Sequence, residues 1–230
     1  MKRAIYAIGV SLMCALPAAA HHGRDFLMVE AYELPHPHTV YFVSSEMFSH
    51  ASDGTTFTTE PSLLFGVTER FAGEVHLHVA RVPGESLRYE AVAPAIHFQL
   101  TPPEASHLWR FAAAAEYELA RHSDENSLGA RLIAARSIGE GMLVVNVGGD
   151  HSRAGETHAG YAIGFRPELE ARTSWGLEAQ GRLERGEEHQ IIFGIYTQPN
   201  ERFTFKAGVG AGLGNGRPSA VLRTGIVWHF

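Results

Sequence analysis

Twelve charged side chains, Glu46, Arg88, Glu90, Arg110, Glu116, Glu118, Arg131, Glu178, Arg182, Glu188, Lys206 and Arg223, sit in stretches where apolar and polar residues alternate, each on the expected polar phase of its stretch. Carboxylates and guanidinium groups gathered on one face make rings of fixed charge, which select and guide small solutes by sign. The same mixture also suits a packed interior whose opposite charges neutralise one another. Sequence alone leaves both readings open.

Histidine offers a second chemistry. Among 14 histidines, His21-His22 and the pair His76 and His78 stand out, because period-two spacing puts both imidazoles of the second pair on one strand face. Two neutral imidazoles can hold copper, nickel or zinc. His97, His189 and His229 lie on other segments, so no third ligand is fixed and no metal site is assigned; His76 and His78 are the candidates to test. His50-Ala51-Ser52 places a possible base and nucleophile two residues apart, a spacing that can serve ester hydrolysis. His122-Ser123 and His151-Ser152 are adjacent and point to opposite faces if extended. Gly208, Gly210, Gly212, Gly214 and Gly216 do not form a phosphate-cradling turn: the first four alternate with Ala207, Val209, Ala211 and Leu213, the pattern of one strand face. They are expected to leave space inside a wall and to favour an open lumen.

The elements that must position these residues are strands. From His107 to Arg121, Trp109, Phe111, Ala113, Ala115, Tyr117 and Leu119 share one phase, and Arg110, Glu116 and Glu118 the other. The same alternation holds over 74–80, 175–184 and 220–230. Strands are expected at 38–51, 56–69, 72–82, 86–101, 107–121, 127–138, 141–151, 157–168, 173–185, 187–197, 202–214 and 218–230. That makes about twelve, an even number as bacterial single-chain barrels use. Short turns at Asp53-Gly54, Pro83-Gly84, Arg185-Gly186 and Asn215-Gly216 alternate with others at Pro102-Pro103, Gly139-Glu140 and Pro167-Glu168. Phe65, Phe98, Trp109, Phe165, Trp175, Phe203, Trp228 and Phe230 all fall toward one end of the strands, as half of an aromatic girdle.

Composition limits the alternatives. Lys2 and Arg3, the apolar run Ala4 to Leu16 and the small residues Pro17 to Ala20 read as a cleavable secretory signal. Beyond it no apolar run is long enough for a membrane helix, and mean hydropathy is −0.09. The single cysteine, Cys14, lies inside the signal, so disulfides and cysteine-held zinc are excluded from the exported chain. Without Lys2 and Arg3, 17 basic groups face 25 acidic ones, a net charge of −8 that argues against nucleic acid as a partner.

The chain ends AVLRTGIVWHF, which resembles the closing strand of bacterial outer-membrane proteins. That resemblance implies that Phe230, Trp228 and Ile226 form an assembly signal read by the barrel assembly machinery. The phrases LFGVTERFAGEV from Leu64 and FGIYTQPNERFTFKAGV from Phe193 look similar to barrels described as MetA-pathway phenol-degradation proteins, an outer-membrane transporter-like group. No catalytic residue is implied by it. Some outer-membrane lipid hydrolases use a His-x-Ser spacing, but Ser52 is followed by Asp53-Gly54 rather than by their Ser-Asn-Gly context.

The expectation is therefore an all-β chain, a transmembrane antiparallel up-and-down β-barrel over 38–230 with short turns at both ends. A signal peptide over 1–20 and a periplasmic extension or plug over 21–37 precede it. The expected role is a passive outer-membrane channel or transporter for small solutes, without a cofactor. A lipid hydrolase centred on His50 and Ser52, or a closed structural or metal-responsive barrel, are the alternatives. Expected partners are outer-membrane lipid and lipopolysaccharide, the assembly machinery and a small-molecule solute.

Overall fold

A computed structural model describes residues 25–102, 108–169, 171–184, 189–213 and 218–230. Its strands are β1 (Val40–Ala51), β2 (Gly54–Thr59), β3 (Ser62–Thr68), β4 (Phe71–Arg81), β5 (Arg88–Gln99), β6 (Arg110–Ala120), β7 (Ser127–Ile138), β8 (Gly141–Ser152), β9 (Thr157–Arg166), β10 (Thr173–Arg182), β11 (His189–Asn200), β12 (Phe203–Leu213) and β13 (Ala220–His229). Consecutive wall strands pair antiparallel, and β13 returns to β1, with Tyr41 opposite His229 and His50 opposite Ala220. The sheet is thus closed on itself and leaves no free edge strand among the described residues, the condition for crossing hydrocarbon with strands.

The expected single strand over 56–69 is interrupted. Pro61 has no N–H to give a ladder, and β2 ends at Thr59. Register is nevertheless kept across the break: Thr59 faces Glu46, Ser62 faces Val43, and Glu60 and Ser45 exchange hydrogen bonds between them. β2 and β3 are therefore two pieces of one wall strand, and the wall has 12 strands. At the end carrying Phe230, two residues each join β3 to β4, β7 to β8 and β11 to β12, whereas β5 and β6 are ten residues apart, longer than the expected short turn. Gly139, at φ 61°, turns β7 into β8 in a two-residue hairpin with Ile138 opposite Gly141.

Alternation in sequence becomes inside and outside in the wall. On β4, Glu74 and His76 are buried while Val75 and Leu77 are exposed; on β10, Glu178 is buried while Leu177 is exposed. Leu132 and Val209 each leave 61% of their surface open on the outer side. So continuous an apolar exterior suits lipid and not water. Toward the Phe230 end, Trp228 stacks on Phe230 with ring centroids 5.6 Å apart, Arg70 lies over Phe98 at 5.1 Å and Arg136 over Trp109 at 5.7 Å. Aromatic rings capped by guanidinium groups are what a membrane interface accommodates.

The interior is not empty. Residues 25–37 precede β1 and lie within the wall, with Phe26, Leu27, Met28, Val29 and Tyr32 all at most 2% exposed. Phe26, Val29 and Tyr32 pack on Ala112, Ile133, Ala135 and Val144 of β6 to β8. Leu27 and Met28 pack on Ile192, Tyr196 and Val221 of β11 and β13, across the barrel. The segment therefore spans the lumen. It joins the wall where His38 N–H donates to Gly66 O (2.9 Å) and Gly66 N–H to Thr39 O (3.0 Å).

Candidate functional site: the lumen and the segment that crosses it

Period two places Glu178 at the middle of β10 with its side chain inward, 1% exposed. Its carboxylate collects consecutive main-chain donors from the crossing segment: Leu27 N–H to Oε1 (2.7 Å), and Met28 and Val29 N–H to Oε2 (2.6 and 3.0 Å). Tyr196 Oη–H of β11 donates to Oε1 as well. A buried carboxylate is tolerable only with such a full set of donors, and charge-assisted bonds of this kind are the strong ones. Lys206 of β12 donates from Nζ to Phe26 O (2.7 Å) on the same stretch.

A second anchor is the carboxylate of Glu30. It meets His97 Nδ1 at 2.7 Å and accepts from Arg131 Nη1 at 2.6 Å, while the far nitrogen of His97 meets Glu74 Oε2 at 2.9 Å. Asn146 of β8 closes on the main chain of Glu30, accepting from its N–H (2.8 Å) and donating to its carbonyl (3.1 Å). Burial alone would raise the Glu30 carboxyl; the charge and hydrogen bonds of His97 and Arg131 outweigh it and hold it below its ordinary value.

Both ends of the crossing stretch are clamped by arginines. Arg110 pairs with Glu33 (3.1 Å) and lies 4.8 Å over the ring of Tyr32, whose hydroxyl donates to Thr101 O (2.6 Å). Arg166 donates to Asp25 O (2.7 Å) and to Ser174 Oγ (2.7 Å), and lies 4.3 Å over Tyr196.

Four of the charged residues selected from sequence, Arg110, Arg131, Glu178 and Lys206, thus converge on one segment. Arg223 is inward and buried on β13. Glu116 lies in a polar pocket beside Glu30 and Arg131, with His76 Nε2 3.6 Å from its carboxylate. Glu118 shares its phase toward the opposite mouth, where Arg182 meets His158 (3.3 Å) and Arg88 pairs with Glu85 and Glu90. Glu90 is the extra residue of a bulge between His78 and Val79. Glu188 lies outside the described residues, as do 1–20 and His21-His22.

Glu46 is a correction. An unbroken register pairs Glu46 with Thr224 and Met47 with Arg223, so Glu46 shares the outward phase with Phe42 and Phe48. Met47 packs in the lumen against the cluster formed by Leu27, Met28, Ile192, Tyr196 and Val221. Both phases of VYFVSSEMFSHA carry apolar and polar residues, so polarity could not choose between them; pairing with β13 does. A second correction concerns the glycines of β12. Gly208 does face inward, but it leaves no void: a Cβ there would come 2.6 Å from Leu27 Cδ1. Gly164 of β9 yields in the same way to Phe26, 2.7 Å from its notional Cβ. Gly214 and Gly216 lie outside the described residues.

His76 and His78 share the lumen face, with rings 5.0 Å apart and nearly perpendicular. Each faces a carboxylate, His78 meeting Glu60 at 4.0 Å. Among the described residues no three metal-ligating side chains converge. His50 points outward and its Nδ1 bonds Thr55 Oγ1 (3.0 Å), while Ser52 lies in the turn beyond β1. Sequence reading did not single out Glu30, Asn146, Arg166 or Tyr196. Glu30 had a signal, a lone carboxylate inside the apolar run from Phe26 to Tyr32; Asn146 had a similar one inside MLVVNVGG.

No protein-family model and no curated protein matches the sequence. Solved structures do match in fold. An outer-membrane channel from Pseudomonas putida F1 superposes with a TM-score of 0.66 at 10% identity, over 86% of this chain and 98% of that one. The NanC porin matches with a TM-score of 0.60 at 8% identity, over 81% and 98%, and the KdgM porin with 0.58 at 11%, over 83% and 99%. At these identities the likeness establishes the fold, that of a bacterial outer-membrane β-barrel.

Proposed function

We propose that the chain is a passive outer-membrane channel for small solutes whose lumen is closed, in the state described, by its own leading segment acting as a plug. One observation carries this reading. Residues 25–34 cross the lumen yet bond the wall through side chains such as Glu178, Asn146, Arg131 and Lys206, with no β-ladder among the described hydrogen bonds. Water can replace side-chain hydrogen bonds at modest net cost, so a plug held this way can leave without unzipping the barrel. Once it leaves, the exposed wall presents carboxylates, arginines and a lysine as a mixed-charge path. The fold shared with the two porins and the Pseudomonas putida channel supports the reading, as does the sequence resemblance to the MetA-pathway group. Removal of residues 1–20 on export, contact with lipopolysaccharide and recognition of Phe230, Trp228 and Ile226 by the assembly machinery belong to the same proposal.

Planar bilayers test it. The intact protein should give small or intermittent conductance, and a chain lacking residues 25–34 should give a steady conductance several-fold larger. A correctly folded barrel that stays silent even without residues 25–34 overturns the channel reading and leaves a closed structural barrel.

A further inference from the structure

On the outward face, charge is out of place in the middle of a strand, where the hydrocarbon lies. The acidic side chains Glu74, Glu116, Glu118, Asp150 and Glu178, each in an unbroken stretch of register, turn inward. Glu46 turns outward from the middle of β1. Its carboxylate accepts from Ser44 Oγ–H and from Thr224 Oγ1–H (2.8 Å), and Thr59 stands opposite it on β2. Ser44, Thr59, Thr224 and Ala207 form a floor of small side chains around it. Larger apolar groups border that floor: Phe48 and Phe57, with ring centroids 4.6 Å apart, on one side, and Ile226 beside Phe205 on the other.

We propose that this face is where a second copy of the chain docks in the membrane, through Glu46 and the Thr59 hydroxyl beside it. A carboxylate has about four acceptor sites, and the two hydroxyls of its own chain use two of them. Lipid tails offer no donor for the rest, so an ionisable group at this depth calls for a protein partner. The face supplies its own complement, because it carries the Glu46 acceptor and, opposite it on β2, the Thr59 hydroxyl, which no described hydrogen bond takes up. A copy rotated about a two-fold axis along the membrane normal brings the Thr59 hydroxyl of each to the Glu46 of the other. Small side chains let two walls approach closely, which is how membrane-embedded interfaces gain contact. Nothing in the channel reading requires this pairing, and each stands or falls separately.

Cysteine crosslinking tests it, since Cys14 is the only cysteine in the sequence. Full-length protein carrying Ala207→Cys, oxidised in native outer membranes, should form a self-crosslinked dimer at least tenfold more efficiently than protein carrying Val147→Cys on the far wall. Adding Glu46→Leu to Ala207→Cys should lower dimer yield by about tenfold, the loss expected for one or two polar contacts between proteins in lipid. The heat-dependent gel shift of a folded barrel checks each variant. Crosslinking no better than the Val147→Cys control, with a single-chain mass in native-lipid nanodiscs, overturns the proposal. So does a crosslink made only to a different protein, or a dimer yield that Glu46→Leu leaves unchanged.

Discussion

Four donors on one carboxylate make Glu178 the side chain on which the crossing segment depends most. In a Glu178→Leu variant the N–H groups of Leu27, Met28 and Val29 lose their acceptor, at about 1–3 kcal/mol each if they stay buried. The segment should then leave, and the chain carries its own reporter of that event. Lys2 and Lys206 are its only lysines, and Lys206 is 2% exposed beneath Phe26. An amine-reactive reagent followed by mass spectrometry should leave Lys206 unmodified in the parent protein and label it in Glu178→Leu. Acid should act through Glu30. Its carboxyl is held below the ordinary value of 4.5, so the stabilisation it brings is full above that pH and is lost as pH falls through the lower, folded value. Labelling of Lys206 after a pulse at pH 3 and return to neutral reagent should therefore exceed that after a pulse at pH 6. In sequence the polar phase of β10 already turned Glu178 inward. What it was to hold was not legible, because its partners are main-chain N–H groups about 150 residues away, which carry no side-chain signature.

Strand positions and phases were read from alternation with little loss, since lipid outside and polar groups inside sort residues strictly by parity. Two failures have identifiable causes. Pro61 stops the ladder at a place where the side-chain alternation runs on unbroken, and β1 has an ambiguous phase that only its pairing with β13 resolves. The glycines of β12 were legible as inward and small, but the segment that fills their space, and that of Gly164 on β9, was not visible beside them. A valine at position 164 should show which element depends on that space. Its methyl groups would overlap Phe26 and Val29, an overpacking worth about 1–3 kcal/mol against the docked segment and little against the wall. Protease cleavage within residues 25–34 should become faster in Gly164→Val, with the thermal transition of the barrel unchanged within a few degrees.

The wall satisfies its own backbone by a closed ladder, so it should outlast the loss of its contents. Far-UV circular dichroism of a chain lacking residues 25–34 should keep the strand signal of the parent in detergent, with a lower midpoint in denaturant. The reverse does not hold: residues 25–34 cannot find their places without the wall. Their partners are spread over β5 to β12, from His97 and Arg131 through Asn146 and Glu178 to Lys206, at separations of 67 to 180 residues. Contacts so far apart in the chain form late. Residues 25–34 are therefore expected to settle after the wall, so that a newly inserted molecule would pass through an interval in which its barrel is complete and its lumen still unfilled. If the emptied barrel conducts as proposed, the length of that interval sets how leaky a membrane is while it is being supplied with this protein.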